Sequence, residues 1–243
     1  MKTAMACRVD CRPPLLLAVA ILVLLIAAPA SLMAQTPPSA RELRIYAGLH
    51  AAAANGDVAA IEQLIAEGEK PNIQDANSRT PLIVAAFRKQ LAAAQALLRH
   101  GADPNAHDED GYGILAIAAS NNDLEMLKTA LAAGSNPRAV EGRDNGSALI
   151  IAAQLGYVDI VHALIDAKAD IDRINNRGWT ALITAVTLGS GDKAHTAIVE
   201  ALVAAHADGD IKDPLGRTAL DYARARGYSD MVPILEKSVG RHT

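Results

Sequence analysis

The feature that most constrains this chain is a leucine that returns at nearly constant intervals and opens an apolar block each time. The leucines are Leu49, Leu82, Leu115, Leu149, Leu182 and Leu220, so the intervals are 33, 33, 34, 33 and 38 residues. A unit of this length contains too few apolar side chains to form its own core, so copies must stack and share one. The period therefore predicts a stacked repeat array.

The second block shows the plan of one repeat. Asp75–Arg79 is polar and turn-prone, and Thr80-Pro81 then signals a helix start, because the threonine oxygen can accept from free amides and proline fits the first turn. Apolar residues fill 82–87. Three- and four-residue apolar spacing over 91–98 indicates a second helix, which ends at Gly101. Each repeat is predicted to be a helix-turn-helix unit.

These blocks resemble the ankyrin repeat family. The matching runs are Thr80-Pro81-Leu82 with Ala85-Ala86, Gly101-Ala102-Asp103 with Asn105, Asp110-Gly111, Ala118-Ala119, Ala152-Ala153, Ile160-Val161 with Leu164-Ile165, Gly178-Trp179-Thr180-Ala181-Leu182 and Asp213-Pro214-Leu215-Gly216-Arg217-Thr218-Ala219-Leu220. The resemblance covers residues 39–240. It implies an all-α repeat solenoid of about six ankyrin-type helix-turn-helix repeats in a curved array. The expected repeats are 42–74, 75–107, 108–140, 141–174, 175–212 and 213–240.

Three local departures from the repeat pattern carry their own predictions. Ser39–Glu42 has the sequence of a capping box and is expected to begin a polar N-terminal cap. The third repeat has Gly113-Ile114 where Thr-Pro is expected, which removes a helix cap worth about 1 kcal/mol. The fifth repeat carries an insertion near Gly189–His195. This insertion is either a neutral lengthening of a surface loop or a contact for a partner.

The N-terminal segment 1–34 is predicted to be a secretory signal peptide. Lys2, Arg8 and Arg12 precede an apolar run over Leu15–Ala28, and small residues follow it, so cleavage is expected after Ala30 or Ala34. The alternative is that the run is retained as a membrane anchor. Cys7 and Cys11 both lie in this segment, so the exported chain would contain no disulfide bond. A periplasmic or secreted location follows.

Composition and motifs argue against chemistry on small molecules. The net charge of −4 disfavours nucleic acid as a partner. The seven histidines lack metal-ligand spacing, and neither a phosphate-binding loop nor a nucleophile elbow is present. We therefore expect no enzyme activity, no cofactor and no bound metal. An unrecognised enzyme is kept as the contrasting hypothesis.

The resemblance implies that function lies on a surface, where the turn tips and first helices of successive repeats line up. The tip candidates for partner binding are Asn77, Arg79, Glu109, Asp110, Tyr112, Arg143, Asp144, Asn176, Arg177, Trp179 and Arg217. The first-helix candidates are Phe87, Arg88, Asn121, Gln154 and Leu188. Trp179 is singled out as the chain's one tryptophan, and it either contacts a partner or packs over Gly178 and an adjacent turn.

The functional hypothesis is a non-catalytic protein–protein interaction scaffold. We expect a monomeric periplasmic accessory factor that binds, protects or assembles a partner protein. The alternatives are a membrane-tethered ankyrin anchor and an inhibitor or immunity protein that uses the same concave face. The sequence does not identify the partner.

Overall fold

The computed structural model of the protein describes residues 35–240, which form one compact unit. The expected signal peptide or anchor over 1–34 lies outside the described residues. Thirteen α-helices occur between residues 35 and 240. They are α1 Ala40–Ile45, α2 Gly48–Asn55, α3 Val58–Ala66, α4 Pro81–Phe87, α5 Leu91–Arg99, α6 Ile114–Ser120, α7 Leu124–Ala132, α8 Ala148–Leu155, α9 Val158–Asp166, α10 Ala181–Thr187, α11 Lys193–Ala204, α12 Ala219–Arg226 and α13 Val232–Leu235. A 3-10 helix at Glu236–Ser238 follows.

After α1, the helices form six antiparallel pairs that stack in chain order. The first members, called inner helices here, are α2, α4, α6, α8, α10 and α12, and the second members, called outer helices, are α3, α5, α7, α9, α11 and α13. Each inner helix packs on its own outer helix and on the inner helix of the next repeat, and the outer helices pack along the array in the same way. The predicted all-α repeat solenoid is confirmed.

The shared core lies along the inner helices, and the four central ones, α4, α6, α8 and α10, are buried almost all round. Every residue of α10 is buried, and Leu182 at its second position is only 2% exposed. Alanine pairs such as Ala85-Ala86 and Ala118-Ala119 are buried too, and their small side chains let neighbouring helices approach closely. The burial of Leu182 confirms the register predicted from the leucine period.

Helix starts follow the sequence signals. Thr80, Ser147, Thr180 and Thr218 each accept a backbone N–H of the helix that follows. Ser39 and Glu42 form the predicted capping box at α1. Gly113 has no side chain to cap α6, as predicted, although its own N–H is bonded to the next repeat.

The insertion in the fifth repeat is shared between a loop and a longer helix. The outer helix α11 has 12 residues, whereas α5, α7 and α9 each have nine. Asp192 caps α11 by accepting the N–H of His195, and His195 Nε2 lies 3.3 Å from the carbonyl oxygen of Gln154 in the fourth repeat. Tyr228 in the sixth repeat donates its O–H to Gly189 O at 3.1 Å. The inserted residues are therefore fixed between the two neighbouring repeats.

Candidate partner-binding face

Five hairpin tips lead into the inner helices from α4 to α12. They comprise residues 75–79, 108–112, 141–146, 175–179 and 213–217. We call the surface made by these tips, by the residue just before each tip, and by the exposed C-terminal ends of the inner helices the inner face. It is the surface on which the sequence analysis placed the partner-binding residues.

Most tips are rigidified by the polar residue that opens them. Oδ1 of Asp75 accepts the N–H groups of the residues two and four positions later, at 2.8 and 2.9 Å. Asp108, Asn175 and Asp213 each accept the same two backbone hydrogen bonds within their own tips. A local side-chain bond of this kind stabilises a turn. Four of the five tips thus hold their own backbone in place.

Backbone hydrogen bonds also join successive tips into a row. The bonds run from Glu109 N–H to Asn77 O at 2.9 Å, from Gly142 N–H to Gly111 O at 2.8 Å and from Asn176 N–H to Asp144 O at 2.8 Å. In the sixth repeat Pro214 takes the donor position, and proline has no N–H to give. These four tips, which are the second to fifth tips when each tip is numbered by its repeat, are therefore linked in a way that the last junction is not.

Predicted charged residues of neighbouring tips pair with each other. Arg143 forms an ion pair with Asp110 of the preceding tip, and Arg177 Nε lies 3.5 Å from Asp144 Oδ2. Asn176 adds a bond from its Nδ2 to Arg143 O at 3.0 Å. Exposed ion pairs contribute little stability by themselves. Their effect here is to fix the orientation of side chains that the sequence placed separately at the tips.

Arg79 corrects one of the sequence predictions. It was expected to be an exposed tip residue, but it is 2% exposed. Its Nη1 donates to Glu42 Oε1 at 2.9 Å and its Nη2 to Thr36 O at 3.0 Å. Hydrogen bonds from Ser39 and then from Arg79 hold the pKa of Glu42 down to about 2. The prediction was wrong because the cap segment, residues 35–46, covers this arginine.

Tyr112 is the second correction. It was expected to be an exposed aromatic residue, yet it is buried, and its ring lies against Gly142 of the next tip. A β-carbon at Gly142, where φ is +70°, would lie 2.5 Å from Tyr112 Cε1. The small residue at 142 therefore makes room for the ring. Burial raises the pKa of the Tyr112 hydroxyl. Tyr112 is part of the packing between tips.

Trp179 stays partly exposed and has a cationic neighbour. The Arg177 guanidinium carbon lies 5.7 Å from the centroid of the indole ring, a distance typical of a cation–π contact. The space above Gly178 is occupied by Pro214, whose Cδ would lie 2.4 Å from a β-carbon there. Contact of Trp179 with a partner remains a prediction.

The other predicted residues all reach solvent, to different degrees. Those exposed are Arg88, Glu109, Arg143, Asn176, Arg217 and Leu188. Those partly exposed are Asn77, Phe87, Asp110, Asn121, Asp144, Gln154 and Arg177. Among them, Asn77 donates to Glu42 Oε1 at 3.0 Å and so belongs partly to the cap. Partner binding by these residues stays a prediction.

Four exposed aliphatic residues of the inner face were not among the predicted site residues, and one of them, Leu215, lies within the tip of the sixth repeat. Val140 and Ile174 directly precede the fourth and fifth tips, and Leu155 ends α8. A comparison of repeats would have revealed these three, because Gln74, Lys212 and Arg88 are polar at equivalent positions. The signal is a departure from the chain's own repeat, which a search for shared motifs passes over.

A buried titratable group lies at the junction of the third and fourth repeats. Glu141 is buried and accepts the Gly113 N–H at 2.8 Å. Burial, opposed by this bond, raises the pKa of Glu141 to about 7, and the neighbouring charge of Asp108 acts in the same direction. His107 Nε2 lies 3.8 Å from Glu141 Oε2. The adjoining cavity is about 10 Å³, room for about one water molecule, so no substrate fits there.

Two shallow grooves lie between outer helices, one of about 420 Å³ along α7 and α9 and one of about 360 Å³ along α5 and α7. No group of three His, Cys, Asp or Glu side chains able to hold a metal occurs in residues 35–240. Within the same range, every helix is too short or too polar to cross a bilayer.

Stacked helix pairs with a linked row of tips define a helical-repeat solenoid. A family model described as ankyrin repeats in three copies matches residues 49–140, 115–213 and 149–241. The chain belongs to the ankyrin repeat family, which is generally a non-enzymatic interaction fold.

Relatives and solved structures agree with this assignment. The chain is 32% identical over 94 residues to a putative ankyrin repeat protein, YahD, of Escherichia coli K12, covering 38% of this chain and 47% of that protein. It is 34% identical over 95 residues, 39% of this chain, to the ankyrin repeat and KH domain-containing protein mask-1 of Caenorhabditis elegans, of which it spans 4%. The chain thus spans less than half the length of either relative.

Two crystal structures share the fold over most of this chain. An ankyrin repeat domain from Acinetobacter baumannii AYE has a TM-score of 0.76 and 34% identity, with 79% of this chain and 97% of that chain covered. The ankyrin repeat protein EF0377 has a TM-score of 0.73 and 33% identity, with 78% and 96% covered. Ankyrin repeats indicate a protein–protein interaction scaffold.

Proposed function

We propose that this protein is a periplasmic accessory factor that binds a partner protein through its inner face and performs no chemistry on it. The observation that carries the proposal is the linked row of tips, in which Glu109, Gly142 and Asn176 each donate to the preceding tip. A surface held in place before binding loses little conformational entropy when a partner docks. This arrangement favours recognition of a folded or extended protein segment.

The periplasmic location rests on the sequence of 1–34. Fractionation of the native cell, followed by mass spectrometry of the N-terminus, tests it. We expect a soluble periplasmic form that begins after Ala30 or Ala34. A form that starts at residue 1 and stays with membranes after an alkaline wash would replace the soluble factor with the membrane-tethered anchor. A protein confined to the cytoplasm would contradict both.

Affinity capture tests the binding face. The immobilised protein is exposed to extract of its own compartment, and retained proteins are identified by mass spectrometry. The inner-face variant is Trp179→Ala with Arg217→Glu. The matched control is Ala132→Glu, which places a new charge in the groove between α5 and α7. A protein retained by wild type and control but lost by the inner-face variant supports the proposal. Retention by all three, or loss only with Ala132→Glu, contradicts it.

A further inference from the structure

Five large aliphatic residues of the inner face are exposed, and four of them lie around the fourth and fifth tips, while the other, Leu215, lies in the sixth tip and is 67% exposed. Val140 is 46% exposed, Ile174 50%, Leu155 41% and Leu188 37%. Exposed apolar side chains that cluster on a soluble protein mark interaction sites more often than scattered ones do. We call these four residues the apolar pairs, because they occupy two equivalent positions in the fourth and fifth repeats when the residue before each tip is counted with the repeat that the tip opens.

The two pairs are in register along the array. Val140 and Ile174 each stand one residue before the polar residue that opens a tip, at Glu141 and Asn175. Leu155 ends α8, and its equivalent Leu188 directly follows α10. Because α8 and α10 pack side by side, the members of each pair belong to adjacent repeats. Trp179, also partly exposed, lies in the fifth tip of the same face.

At the next repeat, basic residues occupy the positions that are apolar in the fourth and fifth repeats. In the sixth repeat, Lys212 is equivalent to Ile174, Arg226 to Leu188, and Arg217 to Trp179. All three of these basic residues are exposed. Arg217 lies 5.6 Å from the ring centroid of Tyr222, and Arg226 lies 6.0 Å from that of Tyr228. At these three positions the inner face therefore changes from apolar to basic in one repeat step, although the sixth tip also carries the exposed Leu215.

In the second and third repeats the equivalent positions carry no large aliphatic residue, and one of them, Arg88, is basic. They hold Gln74 and His107 before the tips, and Arg88 and Asn121 after the inner helices. Among the carboxylates of the tips, Glu109 in the third tip is exposed, and it lies on the other side of the apolar pairs from the basic repeat.

We propose that the apolar pairs and the basic triad Lys212, Arg217 and Arg226 form one docking site for an amphipathic helix of the partner protein. The apolar side of that helix lies over the fourth and fifth repeats, and a cluster of carboxylates at one end lies over the sixth. This inference rests on the proposed function and specifies the partner chemistry.

The spacing supports a helical partner. Packed helices lie about 8–10 Å apart, which sets the separation of equivalent residues in adjacent repeats. Residues seven apart on an α-helix lie about 10.5 Å apart on one face. Successive heptads of a docked helix therefore meet successive repeats. An extended strand repeats its side chains on one face about every 6.6 Å, which does not match.

The positive charge of the basic triad argues against one segment of this same chain as the occupant of the docking site. The chain's own apolar run, Leu15–Ala28, is preceded by Lys2, Arg8, Asp10 and Arg12, which are net basic, and followed by no carboxylate before Glu42. A segment with this charge would repel the basic triad. The partner's carboxylates have the complementary sign, which gives both specificity and faster association.

Synthetic peptides test the proposal with the full chain. One peptide of about three heptads carries leucines on one face of its first two heptads and glutamates in the last, and a second has lysines in place of the glutamates. Binding is measured by fluorescence anisotropy. We expect the glutamate peptide to bind at least about tenfold more tightly, with an advantage that shrinks in high salt.

Two sets of substitutions test the apolar part and the basic part of the docking site separately. Leu155→Gln with Leu188→Gln is expected to weaken both peptides about tenfold or more. Lys212→Glu with Arg226→Glu is expected to reverse the preference, so that the lysine peptide binds better. Arg99→Gln, at an exposed site on the outer helix α5 and away from the inner face, is the control and leaves both affinities unchanged. Circular dichroism checks that each variant is folded.

Three results from the purified protein would overturn the inference. They are equal or absent binding of the two peptides to wild type, an unchanged preference in the charge-reversed variant, and a wild-type dimer that dissociates when Leu155 and Leu188 are replaced. The last would make a second copy of this chain the occupant. A partner captured from extract equally well by the leucine variant would overturn the inference and leave the proposed function standing. Failure to capture any protein would count against the proposed function, whereas the peptides decide this inference.

Discussion

Glu141 of the fourth repeat accepts, at 2.8 Å, the backbone N–H of Gly113, the residue that stands before α6 in the third repeat. In the sixth repeat the equivalent N–H of Thr218 is satisfied locally, by Asp221. Gly113 lacks any such neighbour in its own helix, so the carboxylate comes from the next repeat. A local defect in one helix start is thereby compensated by a bond that joins two repeats.

This bond leads to a pH prediction. The pKa of Glu141 is raised to about 7 by burial, so between about pH 4.5 and 7 the unfolded chain ionises this group while the folded chain keeps its proton. Stability from this group is present at low pH and is lost as pH rises towards 7, by about 3 kcal/mol in total. Glu141→Gln should remove that loss, as measured by urea unfolding from pH 4.5 to 8.

The contribution of Glu141 is isolated by subtracting the free energy of unfolding of wild type from that of Glu141→Gln at each pH. His107 and Asp108 also face Glu141 and are present in both proteins, so their contributions largely cancel in the difference between variant and wild type. We expect Glu141→Gln to gain on wild type as pH rises. Parallel stability curves would mean that Glu141 does not titrate between these limits. Glu141→Ala, which also leaves Gly113 N–H without its acceptor, should be less stable than Glu141→Gln at every pH.

The leucine that defines the repeat supplies a second prediction. Leu182 is fully enclosed between inner helices, so Leu182→Ala should lower the free energy of unfolding by about 2–5 kcal/mol. Leu188→Ala is the matched control, because it removes the same atoms from an exposed position six residues later, and should change stability by less than about 0.5 kcal/mol. Equal losses in urea unfolding would show that burial does not distinguish the two sites.

Arg79 gives a third prediction, concerning the cap segment. Two separate nitrogens of its guanidinium bond Glu42 Oε1 and Thr36 O, and a lysine ammonium cannot reproduce this planar fork. Arg79→Lys should therefore loosen residues 35–46. Hydrogen exchange followed by mass spectrometry should show faster exchange there, with the repeats beyond the second unaffected.

The control for the cap is Arg41→Lys, a conservative change at an exposed site on α1. It should leave exchange in residues 35–46 at the wild-type rate. If Arg79→Lys and Arg41→Lys behave alike, the buried arginine does not hold the cap. If exchange rises throughout the array, Arg79 supports the whole second repeat as well.

The fold could be predicted because the leucine period and the helix-start signals are local. Thr80, Ser39 and Gly113 behave as their residue types require, since a cap depends on atoms within three or four residues. Burial at the tips could not be predicted in the same way. Whether Arg79 or Tyr112 reaches solvent depends on what the neighbouring segment places over it, here Thr36 and Gly142.

The repeat pattern indicated which surface to consider, but not which of its side chains are exposed or paired. A resemblance between repeats locates the inner face, but it also directs attention to shared residues. The apolar residues Val140, Ile174 and Leu155 are visible only as differences between repeats. The pairing of Arg143 with Asp110 likewise depends on the relative placement of two tips, which no single repeat contains.

The insertion in the fifth repeat supports a fourth prediction. Hydrogen bonds from His195 N–H, Ser190 and the His195 ring lower the pKa of Asp192, so the stability that this group supplies is present above its ordinary pKa and is lost as pH falls below about 4. Asp192→Ala should cost about 1 kcal/mol at pH 7, since it removes the cap of α11. Asp192→Asn, which can still cap, should cost less and lack the acid-induced loss.

Binding assays on the insertion should use these point variants. Deleting 190–194 would remove the cap of α11 together with any surface for a partner, so a loss of binding would have two causes. Asp192→Asn keeps the loop and changes only its charge. If capture of the partner is unchanged in Asp192→Asn and Lys193→Ala, the insertion serves the packing of the fourth, fifth and sixth repeats.

Trp179 and Tyr112 occupy equivalent tip positions and should respond in opposite ways to the same change. Tyr112 is buried against Gly142, so Tyr112→Ala should lower the melting temperature by several degrees, with a stability loss of about 3 kcal/mol. Trp179 is partly exposed beside Arg177, so Trp179→Ala should leave the melting temperature nearly unchanged while weakening partner capture. Differential scanning calorimetry and capture on the same samples compare the two. A thermal loss in Trp179→Ala as large as in Tyr112→Ala would assign the indole to packing between tips.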